Sequence, residues 1–191
     1  KNFLCPPNTK VVALYPHDIH AWQGVSQAGQ IREFRDEGIL MAENAVPPGT
    51  AAAQIPFLGQ EAFDLMKRYN SMAMTGVLVE DSHAGTVSRS LGAPLAKYSI
   101  TAYDHDRFLR GVRHLATLHF EMGADEVLLP FSNFHLAKSV DDLERIESSQ
   151  RSRSTIELFT VHMMGTCRMG SRPESSVVNL AGELWDLPGC Y

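Results

Sequence analysis

One stretch of this chain combines residue types that can do chemistry at close spacing: Val161-His162-Met163-Met164-Gly165-Thr166-Cys167-Arg168-Met169-Gly170. It sets an imidazole at the entrance of a glycine-bounded loop that carries a thiol and an arginine. Histidine is the one side-chain type whose ordinary pKa lies near neutrality, so it can trade a proton under mild conditions. Gly165 and Gly170 permit backbone angles closed to other residues, which lets the segment turn sharply and lets a bulky group approach its main chain. Cys167 has no partner at CxxC spacing and reads as a buried structural thiol rather than a nucleophile. Arg168 reads as a loop anchor that pairs a carboxylate or backbone carbonyls.

The unbroken Gly165–Gly170 run, with a histidine ahead of it, resembles the C-terminal signature of the glucose–methanol–choline oxidoreductases, flavin enzymes that oxidise alcohols. Pro173, Ser175, Ser176, Val177, Val178, Gly182, Leu184 and Trp185 follow in the order of that family's P-x-S-S-V-V-D-x-x-G-x-x-W continuation. Gly123-Ala124-Asp125-Glu126-Val127-Leu128-Leu129-Pro130 is also similar, as is the His-x-Met-Gly-Thr-Cys form, to the long-chain alcohol oxidase-like branch with its aliphatic substrates. The family's aspartate is Asn179 here, and a neutral amide cannot hold the same ion pair.

The resemblance implies a portion of a flavin-dependent enzyme that oxidises a primary or secondary alcohol to a carbonyl. His162 is then the catalytic base beside the substrate hydroxyl, with hydride passing from carbon to FAD. Flavin-edge contact is an alternative role for Arg168. The electron acceptor, whether oxygen, a quinone or a cytochrome, stays open. An alternative is a noncatalytic interaction or lid remnant that keeps the signature without flavin.

The family's flavin is held by a Gly-x-Gly-x-x-Gly turn at a helix N-terminus. No such triplet occurs in these 191 residues. The second catalytic histidine or asparagine of the family lies beyond the position of Tyr191. The expectation is therefore a piece of a larger protein: residues 1–159 a portion of the substrate-binding cap domain, 160–191 a segment returning to a flavin domain. The main FAD-binding residues are expected outside this chain.

Composition supports a globular chain, with 44% hydrophobic and 20% charged residues. A net charge of −5 and the lack of a basic stripe argue against nucleic acid as a partner; a small-molecule alcohol is what the resemblance implies. Three cysteines form no disulfide framework, and a reduced, cytoplasmic setting is expected.

The elements that must position the loop can be read coarsely. Val11-Val12-Ala13-Leu14 predicts a short buried strand over 10–15. Residues 17–30 read as an irregular strand or lid loop, and 31–45 as a strand broken by a turn at Asp36-Glu37-Gly38. A helix is expected over 60–70. Runs at 75–81, 86–90 and 95–102, separated by glycine-containing turns, predict an antiparallel meander. Asp104 is positioned to cap a long helix to Met122, closed by Gly123, with an apolar stripe of Phe108, Val112, Leu115, His119 and Met122. Ser139 opens a short helix, 148–154 is a surface loop, and 156–161 a strand into the signature. Strands grouped beside helices predict an α+β domain, an antiparallel sheet backed by helices. The resembled family's substrate domain is built the same way.

Other candidates are weaker. His17 and His20, near Asp18, form one histidine pair without the three or four ligands a zinc site needs, so no metal is expected and a metal hydrolase is the remote third reading. His119 on the apolar stripe reads as a satisfied core residue. Trp22, Phe57, Phe63 and Tyr69 are packing residues first and pocket-lining candidates second.

Overall fold

The computed structural model describes residues 2–150 and 152–191. In chain order the strands are β1 (Asn8–Leu14), β2 (Gln30–Ile31), β3 (Ile39–Glu43), β4 (Met72–Val79), β5 (Thr86–Ser90), β6 (Ala93–Lys97), β7 (Glu126–Leu128) and β8 (Leu136–Ala137). The helices are α1 (Pro48–Ala52), α2 (Gly59–Met66), α3 (Ala102–Glu121) and α4 (Arg145–Ser149). The chain forms two units. One is built from 7–80 and 100–160, the other from 1–6, 81–99 and 161–191.

The larger unit is a six-stranded antiparallel sheet in the order β2-β3-β4-β1-β7-β8, backed by helices. The fold is α+β. β1 lies inside the sheet between β4 and β7 and is buried on both faces, which is why its sequence is a continuous apolar run rather than an alternation. On one face, Val11, Ala13, Ile39, Met41, Val77 and Val127 pack against Phe108, Val112 and Leu115 of α3. On the other, Val12, Leu14, Met72, Met74 and Leu128 pack with Ala51, Ile55 and side chains of α2.

α3 approaches the sheet closely where it has no side chain. A Cβ on Gly111 would lie 2.6 Å from Val77 Cγ2. The helix begins one turn before the expected cap. Thr101 occupies the cap, its hydroxyl accepting from the Asp104 amide at 3.0 Å. Asp104 instead turns inward to Arg107, with Nη2 2.6 Å from Oδ1. Arg107 also donates to the carbonyls of Glu37, at 3.0 Å, and Glu80. This buried pair ties the first turn of α3 to the end of β4 and the turn before β3. Gly38, at φ +70°, makes room for the guanidinium.

The expected meander is not one sheet. β4 joins the large sheet, whereas β5 and β6 pair only with each other, and every residue of both is exposed. Their few apolar side chains, Val87 and Leu95 among them, stay exposed. Residues 156–161 form no strand; they are held by single contacts, Glu157 N to Pro130 O at 2.9 Å and Phe159 N to Asn8 O at 2.6 Å. The short helix after Ser139 is present, with the Ser139 hydroxyl accepting from Asp142 N at 3.3 Å.

No helix among the described residues is long and apolar enough to cross a membrane.

Candidate functional site

The signature belongs to the smaller unit, where its main chain is pinned to a distant segment. Leu4 and Met164 exchange backbone hydrogen bonds at 2.9 and 3.1 Å. Gly165 follows at φ +87°, and a Cβ there would lie 2.2 Å from the Asn2 carbonyl oxygen. Only glycine fits this approach, which accounts for the first glycine of the loop.

The rest of the loop folds onto the segment that follows it. Arg168 Nε donates to Ser175 O at 2.7 Å, and the Arg168 carbonyl accepts from Val177 N at 2.9 Å. Arg168 is thus a loop anchor through a backbone carbonyl. Gly170 N donates to Val178 O at 3.0 Å, and its missing side chain leaves room for Ser176, whose Cβ would be 2.7 Å away. Ser176 Oγ donates to Arg172 O at 2.6 Å and accepts from Trp185 Nε1 at 2.9 Å. Asn179 Oδ1 accepts from the amides of Ala181 and Glu183 at 2.8 and 3.1 Å. An amide oxygen serves that turn as well as a carboxylate would, so the aspartate-to-asparagine difference leaves the local turn formed.

Most of the signature therefore builds a scaffold, and His162, an exposed residue, stands at its entrance. Its neighbours are apolar and open: Val161, Met163 and Met164 are 73, 66 and 48% exposed. Cys167 is also exposed, which overturns its reading as a buried thiol.

In the larger unit, His119 is the satisfied core residue expected of it. Its Nδ1 is 2.9 Å from Tyr15 Oη and its Nε2 2.9 Å from Thr75 Oγ1, and burial lowers its pKa to about 4. His114 stacks on Phe34 at 4.1 Å between ring centres. His20 Nε2 is 3.6 Å from Asp18 Oδ2, and no group of three or more histidines, cysteines or carboxylates gathers at one point among the described residues. The four aromatic candidates do not converge. Trp22 and Tyr69 border one hollow of about 500 Å³, Phe57 borders another of about 330 Å³ with Leu65 and Leu136, and Phe63 is 61% exposed beneath Lys67.

The sequence reading passed over a polar group on the sheet. Lys10 Nζ donates to Asn44 Oδ1 at 2.8 Å across Gly76. Its signal was a lysine opening an otherwise apolar strand.

The model of the GMC oxidoreductase family matches residues 83–191, more than half of the chain. A GMC-type oxidoreductase of Mycobacterium tuberculosis (strain H37Rv) is 27% identical over 191 residues, covering 100% of this chain and 30% of that protein. Long-chain-alcohol oxidase FAO4A of Arabidopsis thaliana is 27% identical over 153 residues, 75% of this chain and 20% of its own length. Long-chain-alcohol oxidase FAO1 of the same plant is 26% identical over 166 residues, 80% of this chain and 21% of its own. The chain thus spans under a third of the length of these relatives.

Proposed function

We propose that this chain, which belongs to the GMC oxidoreductase family, is part of an FAD-dependent enzyme that oxidises a primary or secondary alcohol to a carbonyl, with His162 as the base. The observation that carries this reading is the division of labour in the signature. Gly165, Arg168, Gly170, Ser176 and Trp185 are spent on fixing the loop, while His162 at its entrance is an exposed residue. A base whose following main chain is locked in place is a preorganised one.

The surroundings of His162 fit a flat, largely apolar ring system, since Val161, Met163 and Met164 present uncovered apolar side chains beside it. These residues and His162 are the part of this chain that would meet the cofactor. When bound, FAD supplies the two-electron acceptor that protein side chains lack. His162 takes the hydroxyl proton as the C–H bond breaks, and the resulting imidazolium stabilises negative charge developing on the substrate oxygen. The apolar neighbours exclude water from that proton transfer. The two Arabidopsis relatives named as long-chain-alcohol oxidases support an alcohol as the substrate.

The test is His162→Ala in the full-length protein. Flavin should remain bound, as judged by its visible absorption, while alcohol-dependent flavin reduction slows by about a hundredfold or more, the usual scale of a general base. Unchanged reduction removes His162 from the mechanism. A full-length protein that takes up no flavin leaves the noncatalytic remnant as the reading.

A further inference from the structure

The larger unit contains a hollow of about 540 Å³ between the C-terminal end of α3 and the sheet. That volume falls within the ~300–1,000 Å³ range of small-molecule sites. Ala73 of β4 sets only a methyl group against the space, and Leu115, Leu118 and Met122 border it from the helix side. Leu118 and Met122 are exposed, so this end of the apolar stripe has nothing to pack on. The hollow is lined mainly by hydrocarbon, and a few polar groups are left to choose its occupant.

Three of those groups are joined. Tyr15, Thr75 and His119 all border the hollow, and His119 bonds to the other two at 2.9 Å each. Thr75 Oγ1 gives its proton to Val11 O, so it accepts from His119 Nε2, and the Tyr15 hydroxyl donates to Nδ1. Every polar hydrogen of these side chains is committed, and only oxygen lone pairs stay free.

The fourth group is a carboxylate. Glu43 stands opposite Thr75 in the β3–β4 register, on the face where Ile39 and Met41 join the core beneath α3, and it borders the same hollow. Gly29 N donates to Glu43 Oε1 at 2.7 Å, and that bond holds the carboxyl below the usual carboxylate range. No cationic side chain of the described residues lies within ion-pair distance of Glu43. No lysine or arginine is among the described residues that line the space.

An apolar hollow with a fixed negative charge and spare acceptors selects against anions, which meet repulsion and find no side-chain cation. A wholly apolar occupant leaves the charge unanswered. An ammonium supplies the opposite charge and N–H donors together, and these charge-assisted hydrogen bonds are the strong ones.

We propose that this hollow binds a protonated primary amine borne on a short aliphatic chain, with the ammonium on the Glu43 carboxylate and the chain against Ala73, Leu115 and Met122. Glu43 sets the preference for charge, and the Gly29 amide positions Glu43. The site is built entirely from the larger unit and rests on no role for His162.

The experiment is calorimetric titration of the full-length flavoprotein with hexylammonium, hexyltrimethylammonium and hexanoate, at about pH 8, where an alkylamine keeps its proton. Flavin absorption and melting temperature check the folding of each variant. The parent protein should bind hexylammonium about tenfold or more tightly than hexanoate, and more tightly than the trimethyl form, which has the charge without the N–H donors. Glu43→Gln keeps an acceptor for Gly29 and should weaken hexylammonium about tenfold or more. Ala73→Leu, which fills the hollow, should weaken it as well. Binding that survives Glu43→Gln lies elsewhere and overturns the site. So does a parent protein that holds hexanoate or the trimethyl form as tightly as hexylammonium.

Discussion

The Tyr15 hydroxyl lies 2.9 Å from His119 Nδ1, and the arrangement beyond it sets the direction of every proton. Thr75 Oγ1 donates to Val11 O at 3.2 Å, so it accepts from His119 Nε2 at 2.9 Å. That leaves Nδ1 as the acceptor of the tyrosine proton. The imidazole is held neutral, with its hydrogen on Nε2, between β1, β4 and α3.

Stability should therefore fall as pH is lowered from about 6.5, the ordinary histidine value, toward the folded-state value of about 4. Between those limits the unfolded chain binds a proton that the folded chain refuses, and the loss approaches about 3 kcal/mol. His105 and His114 are also lowered, mainly by burial, and act in the same direction. Urea denaturation across this range should show the slope. His119→Phe should flatten it without abolishing it, and an unaltered slope would contradict the assignment.

Arg107→Met should cost about 3–5 kcal/mol, because it strands the Asp104 carboxylate in the interior. Both side chains are almost fully buried and 2.6 Å apart. Adding Asp104→Leu should recover part of that loss, although the pair is gone. A double variant no more stable than the single one would show that the backbone carbonyls of Glu37 and Glu80, rather than the ion pair, dominate.

Gly111→Ala is a test of sign. In an exposed helix, alanine is favoured over glycine by about 1 kcal/mol. Here the new methyl would meet Val77 Cγ2 at 2.6 Å and Ile39 Cγ2 at 3.2 Å, so the melting temperature should drop. Val77→Ala in the same chain should restore the gain.

Gly165→Ala should disturb the proposed base from a distance. The variant meets both an unfavourable φ and a backbone oxygen, at an expected cost of about 1–3 kcal/mol. Hydrogen exchange should report it first, as faster exchange at the Leu4 and Met164 amides. Alcohol-dependent flavin reduction should slow in parallel if His162 depends on that main chain.

What could be read from residue order was local. β1 announced itself through four consecutive apolar residues, and α3 through a stripe at helical spacing that ends at Gly123, φ +90°. The signature loop was legible because its side chains mostly bond within a dozen residues, as Arg168 does to Ser175. Pairings over long separations were not. β4 reads like β5 and β6 along the chain, and only partners sixty residues upstream place it in the large sheet. Thr101 displaced Asp104 as the cap because Arg107 offered that carboxylate a stronger, buried partner. The Lys10–Asn44 contact depends on a glycine in a third strand, a coincidence of register that no local pattern encodes.

The Leu4–Met164 pairing has a bearing on synthesis. A ribosome adding about 5–20 residues per second needs on the order of ten to thirty seconds to make the second partner after the first. For that interval the early segment offers an unclaimed strand edge, a template for wrong pairing. The larger unit, whose residues are complete by position 160, can collapse before the loop bearing His162 has been made to join 1–6 and 81–99.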